Sequence, residues 1–320
     1  MMRKKANKTP KPAILPGNSK DPTGIDSLER KAMKDFARRM KKISRFYISA
    51  LDRIPSSLAV NAYYEYQLDP LLLNMVLDDA SVLVDSVLLE GGQNDNWFAQ
   101  TYVEVAVIRG TAQAFANLSL QSPAYLAERE SLQDLLLSDP YQRRMALVYA
   151  RTFEEMKGLS AETKRNMARI LTDGIGRGLN PRVVAANLRT QAGIESKRAN
   201  TIARTEITMA LRRARWDEAD EAMKTLGLNI RLLHFSALSP TTRQTHAARH
   251  AHIYTVEEVR AWYATGANAI NCKCSQVEVL VDSKGVPLNS KVVELAQKEY
   301  RQWKGLAANA FCCHQHSHAA

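Results

Sequence analysis

The stretch from Ser196 to Gly227 reads SKRANTIARTEITMALRRARWDEADEAMKTLG, and it predicts a long helix that ends at the glycine. The sequence before this helix is also expected to be helical, because capping residues and prolines open a series of segments with helical apolar spacing. After Gly227 the apolar residues alternate with polar ones instead of following helical spacing. Strands are therefore expected over 229–238 and 276–282. The predicted fold class is mainly α, with a helical N-terminal part followed by a small α+β C-terminal domain.

Helix-capping residues and prolines mark the other expected helix boundaries. Ser160 is expected to cap one helix, and Ser196 is expected to start a helix separate from the one that opens at Asn180-Pro181. Val277, Val279 and Val281 should share one face of the last strand. The other expected helices cover 27–51, 69–90, 97–118, 161–174, 180–192, 256–264 and 290–304, with short ones opening at Ser122-Pro123 and Asp139-Pro140.

Four consecutive regions are expected along the chain, with the main domain boundary near residues 155–160. They are a disordered basic arm (1–26), a helical N-terminal domain (27–157), the α+β domain (158–305) and a disordered Cys/His tail (306–320).

Composition excludes several classes of protein. The chain has 320 residues, and its most apolar stretch, 71–89, is interrupted by Asp78, Asp79 and Asp85, so no membrane span is expected. The basic N-terminal residues are not followed by the apolar core of a signal peptide, so no secretory signal is expected. The four cysteines form two close pairs rather than a widely spaced disulfide framework, which favours synthesis in a reducing cytoplasm.

The net charge of +11 is distributed unevenly. Residues 1–45 hold fourteen Lys/Arg and four Asp/Glu, whereas 54–108 hold eight acids and no Lys or Arg. A basic arm of this kind can neutralise phosphates, although a solubilising tail has the same composition. The candidate nucleic-acid contacts are Lys4, Lys5, Arg38, Arg39, Lys41 and Lys42.

Several polar residues between 198 and 274 are not of the kind that a packed hydrophobic core requires. We expect these residues to meet in one cluster, in which Arg243 has Glu206 as a carboxylate partner; the alternative for Arg204 and Glu206 is a solvated helix surface. The set comprises Arg198, Arg204, Thr205, Glu206, Arg243, His246, Asn271, Cys272 and Cys274.

Three members of this set have the chemistry of metal ligands. His246, Cys272 and Cys274 could provide three of the four ligands that tetrahedral zinc prefers. The alternative is a pair of core cysteines without a ligand. The tail, which contains Cys-Cys-His-Gln-His-Ser-His at 312–318, could likewise bind a soft metal or remain unstructured.

The order Ile-Ala-Arg-Thr-Glu, Thr-Arg-x-x-His, Asn-Cys-x-Cys resembles the C-terminal domain of the phage Mu protein F-like head morphogenesis family, also called minor head or minor capsid proteins. The resemblance covers about residues 160–282. The chain departs from the family pattern at four positions, where members often carry Trp, Asp, Gly and Arg: His234, Ser239, Ala251 and Lys273.

The resemblance implies a minor capsid protein of a tailed bacteriophage. Such a protein would act in head assembly, contacting the portal, a scaffold or coat protein, and DNA through the basic arm. It would be made in the host cytoplasm and reside in the virion, inside the head or at the portal vertex. No catalytic residue is assigned; the alternative is a zinc-dependent hydrolase such as a nuclease, with Glu206 as general base, or a toxin-related domain.

Overall fold

The long helix predicted from Ser196 begins earlier than expected. In the computed structural model, Pro181–Leu226 forms one continuous helix of 46 residues. The expected break does not occur, because Gly193 alone costs a helix only about 1 kcal/mol. Ala192 and Glu195 are buried on either side of that glycine, and their packing keeps the segment helical.

A second long helix also continues through a position at which a new helix was expected to begin. Asp139–Gly176 is a single helix of 38 residues, so Ser160 lies inside it and does not cap a helix that begins at residue 161. The Ser160 hydroxyl instead donates to Asp85 Oδ1 at 2.6 Å. The side chain therefore makes a tertiary contact, which the local sequence could not distinguish from a cap.

The structure describes residues 10–59, 63–67 and 69–315, with side chains as far as residue 305. A five-residue π-helical segment, Ala99–Val103, leads into the third helix. The elements of the described residues are α1 (Asp26–Leu51), β1 (Ser56–Leu58), β2 (Tyr64–Tyr66), α2 (Pro70–Leu88), α3 (Glu104–Gln121), α4 (Pro123–Arg129), α5 (Leu132–Leu137), α6 (Asp139–Gly176), α7 (Pro181–Leu226), β3 (Ile230–Phe235), α8 (Gln244–Ala247), β4 (Ile253–Tyr254), α9 (Val256–Ala264), β5 (Ser275–Leu280) and α10 (Lys291–Gln315).

These elements confirm the predicted fold class of a mainly α chain with a small α+β part near its C-terminal end. The helix expected over 256–264 is present as α9, and Thr255 caps it through a complete capping box with Glu258. The pair β1–β2 was not predicted, because three-residue strands are too short to show alternation. No helix among the described residues has the length and apolarity needed to cross a bilayer.

Two compact units divide the chain, and each is assembled from separate stretches of sequence. The first unit contains 106–142, 208–315 and the N-terminal segment up to residue 26; the second contains 27–105 and 143–207. This division differs from the four consecutive regions suggested by the sequence. The long helices explain the difference, because α6 and α7 each contribute residues to both units.

Part of the expected disordered arm is ordered in the first unit. The backbone N–H of Ile14 donates to Asn117 Oδ1 at 2.8 Å, and the Thr23 carbonyl accepts from Gln113 Nε2 at 3.0 Å. Ala13 and Ile25 are buried. Hydrogen bonds to α3 and the burial of apolar side chains therefore order this Pro- and Gly-rich stretch, which composition alone did not indicate.

The first unit is organised around a three-stranded antiparallel sheet with the order β4–β3–β5. In its register, Leu233 pairs with Val277 and Leu232 pairs with Glu278. Val277, Val279 and Val281 belong to one apolar cluster, which confirms that they share a face. The opposite face of β5 carries Gln276 and Glu278, both buried.

Glu278 is the centre of a buried polar network on that face. Arg215 of α7 donates to both carboxylate oxygens, through Nε at 2.8 Å and Nη2 at 2.6 Å. Asn117 of α3 donates to the same carboxylate at 2.8 Å and to the Glu278 carbonyl at 2.7 Å. Because the carboxylate is fully buried, these bonds compensate its lost hydration and fix α3, α7 and β5 together.

The helices α3 and α7 pack closely at Gly110. A Cβ at Gly110 would lie 2.2 Å from the Leu211 carbonyl oxygen, so Gly110→Ala must push two packed backbones apart. We expect this substitution to lower the free energy of unfolding by about 1–3 kcal/mol, measured by thermal and urea denaturation.

The exposed helical residue Gly158 provides the matched control. An added Cβ there meets nothing within 4 Å, so Gly158→Ala should raise stability by about 0.5–1 kcal/mol through helix propensity. Equal effects of the two alanines would contradict the close packing of α3 on α7.

Candidate functional site

A cluster of one imidazole and two thiols lies in the core of the first unit. The Nδ1 atom of His246 is 3.4 Å from Cys272 Sγ and 3.5 Å from Cys274 Sγ. The three side chains are only 2–3% exposed, and both cysteines are free. The structure thus brings together the three residues that the sequence singled out as possible metal ligands.

Arg243 positions the short helix α8, which carries the imidazole. Its guanidinium donates to the carbonyls of Ala267 at 2.6 Å and Ile270 at 2.9 Å, in the loop that leads into the cysteines. The expected pairing of Arg243 with Glu206 is therefore replaced by contacts with backbone carbonyls. At the end of this loop Asn271 has a φ of 52°, a left-handed conformation that asparagine tolerates.

Arg212 of α7 holds the Cys-x-Cys segment from the other side. Its Nη2 donates to the Cys272 carbonyl at 2.5 Å and its Nε to the Cys274 carbonyl at 2.7 Å. The guanidinium carbon lies 4.7 Å from the centre of the Tyr263 ring. This fully buried fork fixes the backbone on both sides of Lys273 and places a positive charge near the sulfurs.

Sequence reasoning missed Arg212, although a signal was present. Met209, Arg212, Trp216 and Ala219 recur at helical spacing, and all four are buried. An arginine within an otherwise apolar stripe indicates a buried partner, because an unpaired buried charge is costly.

The two thiols differ in acidity because of their neighbours. Burial raises the pKa of Cys272, but the Cys274 thiol, the Arg212 guanidinium and His246 together hold that pKa well below its ordinary value. The hydrogen bond to Cys272, together with burial, raises the pKa of Cys274 well above its ordinary value. The cluster therefore favours a thiolate at Cys272, and thiolates are the form of cysteine that binds metals.

Aromatic and polar side chains enclose the cluster. The Trp262 ring centre lies 4.7 Å from that of His246, and the Tyr263 hydroxyl lies 3.6 Å from Cys272 Sγ. Nearby, His234 accepts from Gln276 Nε2 at 3.2 Å, and burial lowers the pKa of its imidazole well below the ordinary value. His234 is therefore neutral at the position where family members often carry Trp.

The Arg-Thr-Glu part of the predicted set lies in the second unit and has its own partners there. Arg204 Nε donates to Glu29 at 3.1 Å, and Arg151 donates to Glu206 at 3.4 Å. Burial raises the pKa of Glu206, although Arg151 opposes that shift. These contacts thus differ from the single network expected from the sequence.

The remaining predicted residues in this part of the chain are also placed in the second unit. Arg198 pairs with Glu162 of α6, and Thr205 lies between Arg204 and Glu206 within α7. Arg198 is partly exposed, so its ion pair contributes little to stability.

The candidate nucleic-acid contacts divide into two groups. Arg38, Lys41 and Lys42 are exposed on α1, whereas Lys4 and Lys5 lie outside the described residues. Arg39 differs from the other α1 cations, because it donates to the Val87 carbonyl at 2.6 Å and its guanidinium carbon lies 3.9 Å from the Trp97 ring centre. Arg39 is therefore a packing residue and does not belong to the exposed basic surface.

Five of the exposed cations of α1 form a line, which we call the α1 basic stripe. Successive members are three or four residues apart, so they fall on one helical face about 21 Å long. The opposite face of α1 is apolar and buried. The stripe consists of Lys31, Lys34, Arg38, Lys41 and Arg45.

Comparison with known proteins identifies one family. Residues 165–277 match the model of the family described as Phage Mu protein F like protein. This match covers about a third of the chain and contains all three motifs on which the resemblance was based. The comparisons with curated proteins and with solved structures found no match.

Proposed function

Because residues 165–277 belong to the Phage Mu protein F-like family, we propose that this chain is a minor capsid protein of a tailed bacteriophage that contacts both the portal and DNA during head assembly. The family itself indicates phage head morphogenesis and association with the virion. The proposed contacts with the portal and with DNA rest on two surfaces of the second unit. The family match is the observation that carries the proposal.

The α1 basic stripe supports a contact with DNA. Its five cations are exposed along about 21 Å of helix, a length over which duplex DNA presents about twelve phosphates. Lys41 also lines a groove of about 250 Å³ together with the exposed Arg189 of α7. Such a surface contacts phosphates without reading bases, which suits a protein that meets packaged DNA of any sequence.

The outer face of α2 supports a contact with another head protein. Leu71, Met75 and Val82 are 67%, 50% and 70% exposed, and the exposed Asp78 lies on the same face. The segment 54–108 around this helix contains no Lys or Arg. An apolar surface with acidic surroundings fits a partner surface that is apolar and basic, and we assign that partner as the portal protein.

The burial of the imidazole–thiol cluster supports an architectural role for the family motif. Its three side chains are 2–3% exposed, and the two cysteines lie in a core cluster with Trp216 and Tyr263. A hydrolase needs its metal accessible to substrate and water.

Neutralising the α1 basic stripe should weaken DNA binding. We expect Lys34→Gln/Lys41→Gln/Arg45→Gln to bind duplex DNA less tightly and to reduce the slope of log affinity against log salt by up to about 2.7, because each lost phosphate contact removes about 0.9. Fluorescence anisotropy over a salt series measures both quantities. Substitution is preferable to deletion of residues 1–45, since Phe36, Met40 and other α1 side chains are buried.

The control variant is Lys157→Gln/Arg165→Gln/Arg177→Gln, which removes the same charge from exposed positions of the long helix α6 and its end. This variant should retain the salt slope of the parent protein. If both triple variants lose the same affinity and slope, net charge rather than the stripe governs binding.

Disrupting the outer face of α2 should weaken portal capture. Leu71→Asp/Met75→Asp/Val82→Asp should reduce capture by immobilised portal protein of the same phage at least about tenfold, because three apolar contacts are lost. Quantitative pull-down measures the effect, and circular dichroism checks folding. The control is Leu126→Asp/Leu137→Asp/Leu147→Asp, since these leucines are also exposed. Unchanged capture by the α2 variant would refute this contact.

A further inference from the structure

We propose that His246, Cys272 and Cys274 bind a structural zinc ion that joins α8 to the segment preceding β5. The inference concerns the stability of the first unit and does not depend on the proposed contacts with portal or DNA. His246 Nδ1 and the two Sγ atoms are the proposed ligand atoms, and all of them lie within 4.8 Å of one another.

The distances between the ligand atoms fit tetrahedral zinc. An ion about 2.3 Å from each sulfur and about 2.0–2.1 Å from the nitrogen would place sulfur and nitrogen about 3.5 Å apart. The observed separations from His246 Nδ1 are 3.4 Å to Cys272 Sγ and 3.5 Å to Cys274 Sγ. Three side chains from two separate segments thus already have the spacing of a coordination sphere.

Hydrogen bonding joins these three groups only in pairs, the Cys274 thiol with Cys272 and one of the two sulfurs with His246 Nδ1. Both sulfurs lie within reach of His246 Nδ1, but a neutral imidazole nitrogen accepts only one proton. A zinc ion would replace both thiol protons and bind all three atoms at once. Two thiolates and a neutral imidazole are the forms in which these side chains act as ligands.

The surroundings suit bound thiolates. The backbone N–H of Cys274 donates to Cys272 Sγ at 3.4 Å, and the Arg212 guanidinium lies against the carbonyls of both cysteines. Together they would offset part of the negative charge of the two sulfurs. The apolar cluster that includes Tyr263 and Trp216 would exclude bulk water, which is typical of a structural site.

Three protein ligands leave one of the four zinc positions for a small molecule such as water. The ion would connect residues 244–247 with residues 272–274, two segments that share no strand pairing. The zinc would therefore act as a cross-link within the sequence that matches the family.

The tail residues Cys312, Cys313, His314, His316 and His318 could form a second soft-metal site and must be replaced before metal is counted. The test protein is accordingly the full chain with Cys312→Ser/Cys313→Ser/His314→Ala/His316→Ala/His318→Ala, purified under reducing conditions and dialysed against zinc. Elemental analysis should find about one zinc ion per chain. Addition of a strong chelator should lower the thermal unfolding midpoint.

In this background, Cys272→Ser, Cys274→Ser and His246→Ala should each reduce bound zinc at least about tenfold. The matched control is His252→Ala, which removes an exposed imidazole and should leave the zinc content unchanged. Retention of zinc by all three ligand variants would overturn the assignment.

Cobalt(II) provides a test that does not require the ligand variants to fold. The test protein with the five tail substitutions, loaded with cobalt alone, should show the tetrahedral visible bands and the thiolate-to-cobalt charge-transfer absorption in the near ultraviolet. If this protein takes up neither zinc nor cobalt and shows no such absorption, the cluster is a hydrogen-bonded cysteine pair and the proposal fails.

Discussion

Two buried arginines of α7 impose the constraint on which the first unit depends. Arg212 reaches the carbonyls of Cys272 and Cys274, and Arg215 reaches the carboxylate of Glu278. A buried guanidinium is costly unless its hydrogen bonds are made, so these side chains admit one register of β5 against α7. A slip of one residue would move Glu278 away from Arg215 and turn the valine face of the strand away from its core.

Much of the local structure could be predicted from the sequence. The Thr255 cap and the valine face of β5 follow from short-range patterns, and the structure agrees with both. The continuity of α6 and α7 could not be predicted in the same way. Ser160 and Ser196 have the chemistry of caps, and only tertiary packing shows that the helices continue through them.

The candidate site was predictable in part for similar reasons. Cysteines two apart in an extended segment place their thiols together, so Cys272 and Cys274 were recognisable from spacing alone. The partners of Arg204 and Glu206 were not, because helical spacing gives the face of a side chain but not the element that packs against it. The apolar stripe of α7 indicates that Arg212 is buried, but it does not show which backbone carbonyls this arginine contacts.

The Arg212 guanidinium holds the Cys-x-Cys segment, and with it the two thiols, against His246. Amide hydrogen exchange of residues 271–275 in Arg212→Lys tests this most directly, because lysine keeps the charge but cannot bridge two carbonyls. Exchange should become faster there, while Arg260→Lys, a half-exposed position on α9 that pairs with Asp217, should leave it unchanged. Wild-type protection of residues 271–275 in Arg212→Lys would contradict the account.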